Sequence, residues 1–412
     1  MEKLLIIGAG IGQMPLLQRA KMKGIHVTVA TRDGDYPCIA EADDVIYIDI
    51  YERSELANEA RRRGITAVIS DQNDLTNPTV AYVAEKLGLP GNAFETVMSY
   101  CNKNRFRDMC DKVGVPCPKH IEIMAPANDA GCLTGHFPLM VKPADSQSSI
   151  AVQKVESESD LANAIRFAQE KSPTNSAIVE DYICAKEIVC EGFIINGEYH
   201  LLEFADRKYF ELEDKFIPNQ TLFPSVVSKD ILNKVVKYET ELAEYSKPSF
   251  AIVHSEYLVN ELTGEIWIVE SALRGGGVYI SSDLIPLATG IDINELLLQL
   301  SLGKSVDVAG CFGNRCHKAS GYVCFYLPEG IICGIEGIEK LNELSFVHAA
   351  YIDDLKVGEA TQPMTFKGAR KGPILVTGDT RRELENHIQE VQSVLRYSVE
   401  CPDGKVRGAI WR

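Results

Sequence analysis

Glu256-Tyr257-Leu258-Val259-Asn260-Glu261-Leu262-Thr263-Gly264-Glu265-Ile266-Trp267-Ile268-Val269-Glu270 is the stretch on which the fold turns. Apolar residues run up to Thr263-Gly264 and away from it, the pattern of two strands joined by a tight turn. If the strands fold back around Thr263, with Gly264 supplying the turn, Glu256 faces Glu270. Directly opposed residues on one sheet face have Cβ atoms ~4.5–5.5 Å apart. Two carboxylates at that range repel unless a cation lies between them. Mg²⁺ suits the arrangement, because it takes one or two carboxylates plus water and phosphate oxygens. A slipped register turns them to opposite faces and leaves two solvated acids. Arg274 then enters Gly275-Gly276-Gly277. A guanidinium beside exposed amides is a clamp for a carboxylate or phosphoryl group; alternatively the glycines are a flexible turn. His254 shares the strand face of Glu256 and either touches substrate or belongs to the core.

Upstream, Lys142-Pro143 ends an apolar strand (Leu139–Lys142), and Asp145-Ser146-Gln147-Ser148-Ser149-Ile150 leads into another (Ala151–Val155). A loop of small residues after a strand-borne lysine suits phosphate, since amides and hydroxyls donate while the ammonium neutralises charge. An ordinary polar hairpin has the same look. The strand Ala177–Glu180 runs into Asp181-Tyr182-Ile183, and Glu187 opens the next strand, to Ile195. This segment offers backbone groups to an adenine edge and a carboxylate to a ribose; Glu187 also reads as a solvated strand end.

Towards the N-terminus, strands at Leu4–Ile7, Val27–Ala30, Val45–Ile48 and Ala67–Ser70 alternate with helical stretches at Met14–Lys23 and Ser54–Arg63, as in a parallel sheet. Gly8-Ala9-Gly10-Ile11-Gly12 sits between the first strand and helix, with Asp33 further on. That is either an NAD-type pyrophosphate turn or a tight turn binding no nucleotide. Gln13 stands where the third glycine of a dinucleotide fingerprint belongs, and Pro15 supplies no amide. A helix over Lys103–Lys112 closes at Gly114, and Val115-Pro116-Cys117-Pro118 is too proline-constrained to continue it. Further elements are expected at Leu161–Glu170 (helix), Tyr199–Phe204 (strand), Ile293–Leu302 (helix), Gly321–Leu327 and Ile374–Thr377 (strands) and Arg381–Val394 (helix).

Composition narrows the function. Of 412 residues 45% are hydrophobic, enough for a core in each of several domains, and 58 acids against 42 Lys and Arg give a charge of −16. Such a surface repels phosphate backbones and anionic lipid, so nucleic acid and membrane are not expected partners. No apolar run approaches the ~18–20 residues of a membrane span, and no signal-peptide core follows Met1-Glu2-Lys3, so the chain is expected in the cytoplasm. The 12 cysteines are scattered without a C-x-x-C pair, as buried small hydrophobes would be. Cys311, Cys316 and His317 come nearest to metal-ligand spacing.

Taken in order, these motifs resemble the ATP-grasp superfamily, in particular its carboxylate–amine ligase branch, which includes biotin carboxylase, D-alanine–D-alanine ligase and the L-amino-acid ligases. The resemblance spans nearly the whole chain, to Gly372-Pro373-Ile374-Leu375-Val376-Thr377-Gly378 near its end. It implies an α/β and α+β ATP-grasp fold: a Rossmann-like domain without an NAD site over 1–97, the ATP-grasp domain over 98–305 with a smaller lid lobe at about 135–197, and a C-terminal α+β lobe over 306–412.

Residue by residue, the resemblance makes Lys103 and Lys142 the nucleotide-contacting lysines and puts Ser148 and Ser149 over the β- and γ-phosphates. Glu180, Asp181, Tyr182 and Ile183 become the adenine hinge, with Glu187 at the ribose. Glu256 and Glu270 become the Mg²⁺ ligands, with Mn²⁺ as a substitute, and Arg274 steadies the acyl-phosphate. Lys142 and Arg274 are then the catalytic pair, and His254, Gly275, Gly276 and Arg207 face substrate. Gln147 and Ala151 stand where the family commonly has glycine. Ala272 replaces the usual metal-binding asparagine, a gap that bidentate Glu270, Ser271 or water would fill.

The implied activity is ATP-dependent, ADP-forming amide synthesis from a small-molecule carboxylate and an amine, with a homodimer left open. The alternatives are carboxylation chemistry like that of biotin carboxylase or carbamoyl-phosphate synthesis, a catalytically silent ATP-binding module, and an NAD-dependent oxidoreductase.

Overall fold

The computed structural model describes residues 2–127, 131, 136–146, 150–212, 216–313, 315–352, 354–364 and 369–412. The chain forms two compact units. One holds Met1–Leu202, Val227–Asp283 and Ile291–Asn314; the other holds Glu203–Val226, Leu284–Gly290 and Arg315–Arg412.

The first unit opens with a four-stranded parallel sheet in the order β3-β2-β1-β4, made of β1 (Lys3–Ile7), β2 (His26–Thr31), β3 (Asp44–Tyr47) and β4 (Ala67–Ile69). Leu4 to Ile7 are wholly buried, as expected of a central parallel strand covered on both faces. The helices α1 (Met14–Met22), α2 (Arg53–Arg63), α3 (Asn77–Leu87) and α4 (Phe94–Cys101) follow its strands. Next comes α5 (Lys103–Val113). Asn102 caps its start by accepting from the Arg105 amide at 3.1 Å, and Gly114, at φ +77, ends it in the left-handed conformation that glycine adopts without strain.

After the Pro116–Pro118 connector, β5 (His120–Met124), β6 (Leu139–Pro143), β7 (Gln153–Val155) and β8 (Ser176–Asp181) form a small antiparallel sheet in the order β5-β8-β6-β7. The helix α6 (Glu158–Glu170) seals it through Leu161, Ile165 and Ala168. The strand expected from Ala151 starts only at Gln153, because Ala151 lies at φ +55 and still belongs to the turn. A left-handed alanine explains why glycine suits that position.

β9 (Lys186–Ile195) remains in this unit, and β10 (Glu198–Tyr209), longer than the expected Tyr199–Phe204, carries the chain out of it. β11 (Pro218–Phe223) belongs to the second unit. The chain returns through α7 (Lys229–Ser246), a helix that the sequence reading lacked, into β12 (Phe250–Asn260) and β13 (Glu265–Ala272). Strands β13, β12 and β9 form an antiparallel ladder in that order. On one of its faces Tyr257 donates to Glu239 of α7 at 2.5 Å. Burial pushes the Glu239 carboxyl up to about 7.

In the second unit, β11 pairs with the strand Ala319–Phe325, which pairs with Lys371–Gly378, which in turn pairs with Val347–Ala350. The helix Arg381–Val394 covers them through Leu384, Ile388 and Val391. Among the described residues no helix is long and apolar enough to cross a membrane, and the cysteines are free thiols.

Candidate functional site

The hairpin does bring Glu256 opposite Glu270, by a route the sequence reading did not foresee. Asn260 pairs with Glu265 and Tyr257 with Ile268, so the turn centre lies half a residue before Thr263, with Gly264 at φ +72. Continued regularly, that register would set Glu256 against Val269. A β-bulge at Val269 absorbs one residue and turns Glu270 onto the face of Glu256. The bulge is braced from outside the hairpin: Arg107 of α5 donates to the Val269 carbonyl at 2.7 Å, and the Ile268 amide donates to the Pro116 carbonyl at 2.8 Å.

Alternation along the ladder gathers Glu187 and Glu191 of β9, His254 and Glu256 of β12, and Glu270 of β13 on one face, because Glu191 pairs with His254 and Glu187 with Leu258. The wholly buried Glu191 binds His254 Nδ1, while His254 Nε2 lies 3.4 Å from Glu256 Oε1. Burial disfavours the imidazolium, but Glu191 outweighs it and raises the His254 pKa. Ala272 pairs with His254. Ser271 lies on the opposite face, hydrogen-bonded to Ser255 at 2.9 Å, so it does not fill the gap left by the missing asparagine.

Lys103 opens α5 and joins two segments. Its Nζ donates to the Ser146 carbonyl at 2.8 Å and lies 3.5 Å from Glu270 Oε1. On the small sheet, Met140 pairs with Glu180, so Lys142 and Glu180 sit diagonally on one face and bond at 2.6 Å. The second Glu180 oxygen accepts from Arg107 Nε at 2.7 Å. Burial alone would push the Glu180 carboxyl up, yet Arg107 and Lys142 outweigh it and hold it at about 2. At the expected hinge, the Asp181 amide donates to the Lys119 carbonyl and the Tyr182 amide to that of Pro138. Lys154 lies over the Tyr182 ring, and Ile183 follows, half-buried. Ser148 and Ser149 lie outside the described residues.

Arg274 forms a two-pronged pair with Asp74, Nε to Oδ1 at 2.9 Å and Nη2 to Oδ2 at 2.8 Å. Burial pushes the Asp74 carboxyl up, but Arg274 and Lys103 overcome this and lower it. The neighbouring glycines are packed. The buried Asp71 accepts from the Gly275 amide and from the Ser281 hydroxyl, each at 2.7 Å, and a Cβ on Gly275 would fall 2.2 Å from that of Ser281. A Cβ on Gly276 would meet Glu191 Oε1 at 2.7 Å and His254 Nδ1 at 2.9 Å.

Lys103, His254, Glu256, Glu270, Arg274, Gly275 and Gly276 lie together in the first unit, and Lys142 and Glu180 are tied to the same hairpin by Arg107, which binds both Glu180 and the Val269 carbonyl beside Glu270. Arg207 belongs to the second unit, on β10 opposite Thr221. Arg107, Asp71, Asp74 and Glu191 were not among the expected residues. Only Arg107 carries a sequence signal, a charge four residues after Lys103 beside the buried Phe106 and Cys110.

At the N-terminal glycine loop, Gln13 Oε1 accepts from the Gly10 amide at 3.1 Å and Gln13 Nε2 donates to the Asp71 carbonyl at 2.6 Å. The side chain in the third-glycine position therefore takes the donor that a pyrophosphate would need.

Residues 119–249 match the family model described as D-ala D-ala ligase C-terminus. The carbamoyl phosphate synthase large chain of Caldanaerobacter subterraneus subsp. tengcongensis is 21% identical over 276 residues, covering 65% of this chain and 24% of that protein. The chain thus spans about a quarter of the length of that relative. The D-alanine–D-alanine ligase of Pseudomonas entomophila is 24% identical over 290 residues, covering 65% of this chain and 84% of the relative. Among solved structures, the L-amino acid ligase from Bacillus licheniformis superposes with a TM-score of 0.80 at 20% identity, covering 96% of this chain and 98% of that one. The biotin carboxylase from Campylobacter jejuni gives 0.71 at 14% identity, covering 99% and 93%. The chain is thus similar in sequence to D-alanine–D-alanine ligases and shares the mixed α/β ATP-grasp fold of the carboxylate–amine ligases.

Proposed function

We propose that the protein is an ATP-dependent, ADP-forming ligase that joins a carboxylate to an amine. The observation that carries this reading is the facing pair Glu256 and Glu270, with the Lys103 ammonium 3.5 Å from Glu270. Two carboxylates opposed on one sheet face suit a hard dication. Mg²⁺, or Mn²⁺ in its place, would be held by Glu256 and Glu270 and supply charge neutralisation of the triphosphate.

In the proposed reaction a substrate carboxylate oxygen attacks the γ-phosphorus, the bond to the bridging oxygen breaks, and ADP leaves with that electron pair. The amine then attacks the acyl carbon, phosphate departs, and the nitrogen loses a proton to give the amide. Such chemistry asks the protein for positioning and charge. Lys103 and Lys142 hold phosphate oxygens, and Arg107 keeps Glu180 paired when Lys142 turns to the nucleotide. Glu180 to Ile183 line the adenine, Glu187 the ribose, and Ser148 and Ser149 cover the phosphates. Arg274 holds the acyl-phosphate beside Gly275 and Gly276, and His254 faces substrate. The same reading divides the chain at 97 and 305 and leaves a homodimer to be tested by sedimentation.

The D-alanine–D-alanine ligase and L-amino acid ligase among the similar proteins support the reaction class. A second reading, an ATP-binding module without turnover, is favoured by Ala272 and by the turning away of Ser271. Mg²⁺-dependent ADP release with paired carboxylates and amines separates the two. Glu270→Gln should lower that turnover on the order of 100-fold or more; wild-type turnover in this variant would sink the metal assignment.

A further inference from the structure

The far end of α5 carries a set of donors that the proposed reaction does not use. Asp111 lies in its last turn, and Gly114 turns the chain out of the helix. Pro116 and Pro118 hold the following residues extended on either side of Cys117. The chain thereby returns Cys117 and His120 to the side of Asp111. Cys117 Sγ lies 3.9 Å from Asp111 Oδ1 and 4.0 Å from His120 Nδ1, and His120 Nε2 lies 3.6 Å from Asp111 Oδ2. One donor atom from each residue lies within 4.8 Å of the other two.

Around a tetrahedral Zn²⁺ the Zn–S distance is about 2.3 Å and the Zn–N or Zn–O distance about 2.0–2.2 Å, which sets neighbouring donors roughly 3.3–3.6 Å apart. Small side-chain rotations close the observed triangle to that size, and Asp111, 63% exposed, is free to make them.

The surroundings prepare each donor. His120 Nδ1 is 3.1 Å from the Pro118 carbonyl oxygen, a contact that needs the proton on Nδ1 and leaves the Nε2 lone pair for an ion. The buried Cys110 thiol hydrogen-bonds to Cys117. Metal binding displaces the ligands' protons, and the resulting thiolate and carboxylate with a neutral imidazole carry two negative charges against a dication. Sulfur excludes Mg²⁺ and selects a borderline metal, which separates this group from the all-oxygen pair Glu256 and Glu270.

We propose that Asp111, Cys117 and His120 bind a transition-metal dication of the Zn²⁺ class, with water or the Cys110 thiol as fourth ligand, and that the ion pins the end of α5 to the start of β5. The same helix begins at Lys103 and carries Arg107, so the pin would hold both lysine and arginine against the bulged hairpin.

The test uses the full chain, stripped with chelator and titrated with Co²⁺ as a spectroscopic probe in excess Mg²⁺. One equivalent of Co²⁺ should give a thiolate-to-metal charge-transfer band, and Zn²⁺ should displace it. Cys117→Ser should abolish the band and weaken Zn²⁺ on the order of 100-fold, and His120→Ala should weaken it about 10- to 100-fold. Cys316→Ser should behave as wild type. Asp111→Asn provides a second reading at an exposed position should Cys117→Ser fail to fold. A chain that gives no thiolate band, or whose Cys117→Ser and Asp111→Asn variants bind Zn²⁺ like wild type, overturns the site.

Discussion

Two glycine runs in this chain look alike on paper and do opposite things. In Gly8-Ala9-Gly10-Ile11-Gly12 the glycines make a turn whose amides are answered locally, Gly8 by the Ala30 carbonyl and Gly10 by Gln13. In Arg274-Gly275-Gly276-Gly277 the first two glycines are required by crowding, and their amides are met by buried carboxylates from distant segments, Asp71 and Glu191. The first run only joins a strand to a helix. The second lies where the parallel sheet and the carboxylate ladder meet, so what abuts a glycine separates the two, and glycine content does not.

The sharpest way to break this contrast is to remove what holds the second run's neighbourhood together. Arg107→Met leaves the Val269 carbonyl without its donor and Glu180 with one cation, and breaking such a buried pair should cost about 3–5 kcal/mol in chemical denaturation. A loss under about 1 kcal/mol would show that the bulge stands unaided.

Acid tests the same junction in the wild-type chain. Glu180 sits at about 2 in the fold, against about 4.3 unfolded. Its stabilisation, on the order of 3 kcal/mol, is therefore full above the unfolded value and lost as pH falls through the folded one. Melting temperature should fall between about pH 4.5 and 2, and the fall should be smaller in Glu180→Gln.

The glycines themselves rank next. Gly275→Ala drives a Cβ to within 2.2 Å of Ser281 and 3.0 Å of Asp71, an overpacking expected to cost about 1–3 kcal/mol. Gly10→Ala, with Gln13 Oε1 at 3.4 Å its only near neighbour and φ at −77, should change stability by less than about 0.5 kcal/mol. Equal urea midpoints for the two variants would erase the distinction.

The sequence carried the parallel sheet, three strands of the small sheet and the hairpin because each depends on local alternation and turn residues; β5, after the proline connector, was not expected. Glu256 was set against Glu270 from a symmetric hairpin, and the pairing holds because a shifted turn and a bulge cancel. The bulge depends on Arg107, whose contact to Val269 spans 162 residues of sequence, and no local pattern reports that. Asp71, Asp74 and Glu191 stayed unseen for the same reason: each is an ordinary acid until the fold sets it against a residue 63 to 210 positions away. The helix Lys229–Ser246 was illegible because Glu239 interrupts the buried stripe of Ile231, Val235, Leu242 and Ala243. Burial pushes its carboxyl up to about 7, so it ionises less readily there than a surface glutamate.

The Arg274–Asp74 pair leaves the free protein with a clamp that carries no net charge. In the proposed reaction, a monoanionic carboxylate entering the site competes with Asp74 on equal terms. A dianionic acyl-phosphate competes with twice the charge. The arginine would therefore hold the starting material loosely and the intermediate firmly, which is the discrimination that accelerates a reaction and does not merely collect its substrate. Asp74 would act as a threshold that only the activated species passes.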